Sequence, residues 1–145
     1  VSMMLIILLL SLIGVESSYS IRVTIKNDPS GVWENVEGSR MRLDVVGFTL
    51  KQIIIEGLYN STEGHVSGSY PFYGAGQSLD SPPIRLTFYV VWTNAESDDK
   101  SITTWIGTYY PPDLIETTLM LIGASDVFVN STITGFERFR RIKST

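Results

Sequence analysis

Beyond residue 30, apolar and polar side chains alternate along the chain, and no run of helical length carries an apolar stripe at 3.6-residue spacing. Eight segments are rich in β-branched and aromatic residues: 32–36, 40–46, 52–60, 70–77, 85–93, 101–109, 116–123 and 131–139. Turn-forming stretches separate them, among them Glu37-Gly38, Thr62-Glu63-Gly64, Asp80-Ser81-Pro82-Pro83, residues 94–100, Pro111-Pro112-Asp113 and residues 123–126. Strands joined this closely pair as antiparallel hairpins, because a parallel crossover needs about a dozen residues or more. The pattern predicts an all-β fold, either an up-and-down barrel or a sandwich.

The same alternation assigns faces. In the sixth segment Ser101, Thr103 and Trp105 share one side, while Ile102, Thr104 and Ile106 share the other. Tyr59 and Ser61 share a side in the third segment, with Asn60 opposite, and Trp33 and Asn35 share a side in the first. Hydroxyls, a phenol, an amide and indoles facing the inside of an eight-stranded barrel read as a pocket for one small ligand. The other reading is a core whose polar groups satisfy one another. The apolar residues facing outward call for a covering surface, here another subunit.

The first residues follow a different pattern. Residues 3–15 are almost wholly apolar. That run is shorter than the ~20 residues a bilayer span needs, but it suits the core of a signal peptide, with cleavage expected after Ser17. A buried apolar helix is the alternative. The expected organisation is a signal peptide over residues 1–17, an N-terminal extension over 18–30 and one barrel domain over 31–141, in a secreted protein. No later apolar run has the length of a membrane helix, so no membrane partner is expected. Asn60-Ser61-Thr62 and Asn130-Ser131-Thr132 are candidate glycosylation sites.

Composition narrows the chemistry. A length of 145 residues suggests one domain, and a 43% apolar share suffices for a packed core. The net charge of −4 gives no reason to expect nucleic acid. With no cysteine and a single histidine, His65, the chain has no disulfide, no multi-histidine metal site and no cysteine nucleophile. It also lacks a Gly-x-Ser-x-Gly elbow and a phosphate loop. Nothing fixes two of Glu37, Glu63, Asp99 and Glu137 as a carboxylate pair. Neither an enzyme nor a cofactor is expected.

Five motifs, in order, point further. They are Gly31-Val32-Trp33-Glu34-Asn35-Val36-Glu37-Gly38-Ser39, Gly57-Leu58-Tyr59-Asn60-Ser61, Phe88-Tyr89-Val90-Val91-Trp92, Ser101-Ile102-Thr103-Thr104-Trp105-Ile106-Gly107 and Thr132-Ile133-Thr134-Gly135-Phe136-Glu137-Arg138-Phe139. The set resembles the avidin/streptavidin family from Gly31 to about Arg141. That resemblance implies an eight-stranded antiparallel up-and-down β-barrel that binds biotin as a homotetramer or homodimer.

It also implies roles. Asn35, Ser39 and Tyr59 match the family's three donors to the ureido oxygen. Ser61 matches an acceptor for one ureido N–H, and Glu137 stands where the family has Asp or Asn for the other. Thr103 matches the hydroxyl near the ring sulfur, and Ser101 a donor to the valerate carboxylate. His65 is a further candidate at that tail end. Trp92 and Trp105 match two of four aromatic wall positions. Leu119, followed by Leu121, occupies the third, and the fourth falls near Phe128 or Val129. Glu37 and Glu63 replace apolar residues, and Asp99 would repel a carboxylate. The resemblance thus implies a biotin-binding protein weaker than the tightest members. The alternative is an avidin-fold assembly module that has lost biotin or takes another small ligand.

Overall fold

The computed structural model describes residues 25–62, 68–93, 100–125 and 128–142. Eight strands follow in sequence: β1 (Gly31–Asn35), β2 (Arg40–Phe48), β3 (Gln52–Asn60), β4 (Ser69–Gln77), β5 (Ile84–Thr93), β6 (Lys100–Tyr110), β7 (Leu114–Ser125) and β8 (Phe128–Arg141). Each pairs antiparallel with the next, and β1 pairs antiparallel with β8, which closes the barrel. The choice between barrel and sandwich is thereby resolved. Closure leaves no edge strand unpaired. The proposed signal peptide and residues 18–24 of the extension lie outside the described residues.

Alternation decides which side chains enter. Along β5, Ile84, Leu86, Phe88 and Val90 are buried, while the residues between them are exposed. Along β3, Ile53, Ile55 and Tyr59 are buried and Ile54, Glu56 and Leu58 are exposed. Two inward glycines make room for rings. A Cβ at Gly57 would sit 2.6 Å from the Phe72 ring and 1.8 Å from the Arg42 carbonyl oxygen. A Cβ at Gly74 would sit 2.7 Å from the Phe88 side chain. Phe72 and Phe88 occupy that space, with ring centroids 5.2 Å apart.

The barrel has a closed end, where β1 begins, and an open end, where β1 finishes. At the closed end Trp33, Leu43, Ile53, Ile84, Tyr109 and Ile115 fill the interior. Arg141 ties this end together. Its guanidinium lies over the Trp33 ring, 4.6 Å from the centroid, an arrangement favoured by the ring quadrupole. Nε donates to the Pro112 carbonyl at 2.9 Å, and Nη2 donates to the Asp28 carbonyl at 2.9 Å and to the Tyr109 hydroxyl at 3.2 Å. Nη1 donates to the Ser30 carbonyl. One side chain therefore binds the approach to β1, the β6–β7 turn and the end of β8. Burial pushes the Tyr109 phenol pKa up, against the opposing pull of Arg141.

Outside, the strands differ. Arg40 pairs with Glu34 and Arg42 with Asp44 across the outer surface of β1 and β2. On β5 to β8 the outer surface carries Val91, Ile102, Ile106, Met120, Ile122 and Phe136, all exposed. Val91 faces Ile102 and Ile102 faces Ile122 across neighbouring strands, so part of this surface is one continuous apolar row.

Candidate functional site

The interior near the open end is a cavity of about 480 Å³. Inward residues of β3, β5, β6, β7 and β8 line it, together with Ser39 from the β1–β2 turn and Ser61 just past β3. It falls within the ~300–1,000 Å³ range common for small-molecule sites.

The β1–β2 turn is shaped by its own side chains. Gly38 takes φ +87°, a conformation that other residues adopt with strain. Asn35 Oδ1 accepts from the Ser39 backbone N–H at 2.7 Å. This fixes the amide, so its Nδ2 faces Glu137 and donates to Oε1 at 3.3 Å. Asn35 is buried behind the wall and does not line the cavity, although its Nδ2 carries a second proton.

Ser39 is buried and does line the cavity. Its Oγ accepts from the Thr62 backbone N–H at 3.1 Å and shares a second 3.1 Å contact with Thr62 Oγ1. Thr62 Oγ1 donates its only proton to the Glu37 carbonyl at 2.9 Å. The proton between the two hydroxyls therefore comes from Ser39. A ligand oxygen that took this proton would draw it from Thr62.

Glu137, inward on β8, anchors the far side. Its Oε2 accepts from Trp105 Nε1 at 2.6 Å, and its backbone carbonyl accepts from Thr117 Oγ1 at 3.2 Å. Its two oxygens thus hold Asn35 and Trp105, one each, on β1 and β6. The longer glutamate side chain reaches the cavity without leaving the β8 register, in which Glu137 faces Thr117.

The aromatic wall is locked from several directions. Trp105 stacks on Phe88 with centroids 5.1 Å apart and planes 13° apart. Tyr59 lies 5.1 Å from Trp105 and edge-on to Trp92 at 5.9 Å. Tyr70 adds an edge contact to Trp92 at 5.0 Å. Trp92 Nε1 donates to Thr103 Oγ1 at 2.7 Å, leaving the Thr103 hydroxyl proton for another acceptor. The wall next to Trp105 is aliphatic: Leu119, Leu121 and Ile133, with Gly135 facing Leu119 across the β7–β8 pair.

Of the residues singled out in the sequence, Ser39, Tyr59, Ser61, Trp92, Ser101, Thr103, Trp105, Leu119, Leu121 and Glu137 line this one cavity. Asn35 stands behind it. Glu37 is exposed on the β1–β2 turn, and its carbonyl serves Thr62. His65, Glu63 and Asp99 lie outside the described residues, as do the side chains of Phe128, Val129 and Asn130. Asn60 is exposed on β3, and its side chain accepts from Ser69 Oγ. Sequence reasoning passed over Ile133, Gly135, Tyr70 and Thr62. Counting back by twos from Glu137 would have found the first two. Tyr70 and Thr62 act through other residues, and no local pattern marks them. Among the described residues, no group of three or more histidine or acidic side chains is placed to hold a metal ion.

Two comparisons bear on these features. A sequence model of the avidin family matches residues 23–142, most of the chain and all of the barrel. Among curated proteins, no match is found.

Proposed function

The chain belongs to the avidin family, and on that premise we propose that its open-end cavity binds biotin. The carrying observation is that Ser39, Tyr59, Ser61, Thr103 and Glu137 meet Trp92 and Trp105 around one cavity of about 480 Å³. A cyclic urea needs donors for its oxygen and acceptors for its two N–H groups. Ser39 and Tyr59 serve the oxygen, with Asn35 behind them fixing the turn that presents Ser39, and Ser61 and Glu137 serve the nitrogens. These groups are held rigidly in a partly dry site, where hydrogen bonds count for more than in water. Trp92, Trp105 and Leu119 enclose the thioether ring, with Thr103 beside the sulfur and Ser101 towards the tail. The reading is of a binding protein rather than an enzyme.

Affinity is expected to lie below that of the tightest avidins. Leu119 and Gly135 leave the β7–β8 wall thinner than an indole would. That wall also favours the second reading, an avidin-fold module that no longer holds biotin. A calorimetric titration of the purified chain with biotin separates the two. Saturation at one site per chain supports binding, and no heat at high micromolar biotin overturns it.

Three further features complete the proposal. The apolar run at residues 3–15 supports export, with removal after Ser17. Asn60 is exposed, as a glycan acceptor must be. The apolar outer surface of β5 to β8 supports association into a homodimer or homotetramer, which would cover it.

A further inference from the structure

Thr62 follows Ser61 past the end of β3; it is exposed and is not among the residues that line the cavity. Its hydroxyl and its backbone N–H are nonetheless both engaged with the β1–β2 turn. Thr62 Oγ1 donates to the Glu37 carbonyl at 2.9 Å and accepts from Ser39 Oγ at 3.1 Å, while the Thr62 N–H donates to Ser39 Oγ at 3.1 Å. The turn at Gly38, with φ +87°, brings the Glu37 carbonyl and the Ser39 hydroxyl to the same side chain.

We infer that Thr62 is a positioning residue that sets the affinity of the cavity: its hydroxyl competes with the ligand oxygen for the Ser39 proton and weakens binding. The inference rests on the proposal that Ser39 serves the oxygen of a cyclic urea. A hydroxyl has one proton to give. Thr62 gives its own to Glu37, so at Ser39 it can only accept. Ser39 is buried, so its proton is not shared with bulk water. A ligand oxygen that takes it exchanges one hydrogen bond for another, where it would otherwise gain one outright.

The Thr62 hydroxyl also braces the turn, and removing it acts in two opposite directions. The brace is the smaller effect. Without that hydroxyl, Ser39 is still held by Asn35 Oδ1 on its backbone N–H at 2.7 Å. Its carbonyl still accepts from the Asn35 N–H at 3.0 Å, and its Oγ still accepts from the Thr62 N–H. The lost bond to the Glu37 carbonyl is exposed, and water replaces it at little cost. Competition for a buried proton therefore decides the sign.

Calorimetric titration of the full chain with biotin tests this. The variants are made in a host that adds no glycans, because Thr62→Val also removes the Asn60-Ser61-Thr62 sequon. Thr62→Val keeps the branched shape, loses the hydroxyl, and is expected to bind biotin roughly fivefold more tightly than the parent. Thr62→Ser keeps the hydroxyl and should bind within about twofold of the parent. In a Ser39→Ala background no proton is contested, so Thr62→Val should leave affinity unchanged there. Affinity in Thr62→Val equal to or below that of the parent overturns the inference and leaves the biotin proposal standing. Equal tightening in the Ser39→Ala background also overturns it, because the hydroxyl then acts by a route other than Ser39. No heat from the parent at high micromolar biotin sinks the biotin proposal, and the inference falls with it. If Thr62→Val does not fold, Thr62→Ala reads the same sign.

Discussion

At the closed end of the barrel the Arg141 guanidinium spends four of its five N–H groups within the chain, on the Ser30, Asp28 and Pro112 carbonyls and the Tyr109 hydroxyl, and lies over the face of Trp33. At the open end the polar groups are held but not exhausted. Asn35 keeps an amide proton and Thr103 keeps its hydroxyl proton, while Glu137 holds Trp105 and Asn35. Both ends are ringed by aromatic side chains, and both draw polar groups from strands far apart in sequence. They differ in residual valence. Where most donors are matched within the chain, the result is cohesion. Where partners are matched once and have a second valence to offer, the result is a receptor held ready.

That contrast makes Arg141→Ala the change with the largest expected effect. Several hydrogen bonds from a charged, partly buried group disappear together, so the barrel should lose about 3 kcal/mol of stability, read as a fall in Tm of roughly 10 °C. Ligand affinity of the molecules that remain folded should hold. A parallel loss of biotin affinity would show that the ends are not separable. Tyr59→Phe is the reciprocal change at the open end. It keeps the ring contacts with Trp92 and Trp105 and removes one donor, so biotin should bind tenfold or more weakly with little change in Tm. An unaltered dissociation constant would remove Tyr59 from the proposed oxygen site. The smallest effect is expected from Leu119→Trp, which thickens the aliphatic wall. A Cβ at Gly135, opposite, would lie 3.5–3.7 Å from Leu119, so the larger ring must extend into the cavity. Biotin binding should tighten by up to about tenfold, and weaker binding would show that the cavity cannot accommodate the ring.

Much of this arrangement could be read before the structure, for a simple reason. A sheet with one buried face writes a period of two into the sequence, and Ile84 to Trp92 or Ser101 to Tyr109 displays it openly. The ends of strands were harder to place. β8 runs on to Arg141, past the expected end at 139, because Arg140 and Arg141 look like a solvated tail while their backbones stay paired with β7 or β1. The pocket was legible where a residue carries its own chemistry, as with Tyr59 and Glu137. It was illegible where a residue acts by yielding space, as Gly135 does, or by steering a neighbour, as Thr62 does with Ser39. The Arg141 clasp left no trace at all. Its acceptors are mostly main-chain carbonyls, which every sequence possesses and only a fold brings together.

The seam between β1 and β8 has a consequence for the order of events in synthesis. It is short, with three residue pairs against eleven between β7 and β8. Yet Asn35 and Glu137, partners in the pocket wall, meet across the chain at a separation of 102 residues. The first seven strands alone leave the cavity without Ile133, Gly135 and the Glu137 carboxylate. The site comes into being with the last strand, as the ring shuts. Any ligand held there is linked to that closure, so an occupied pocket reports that β8 has closed the ring.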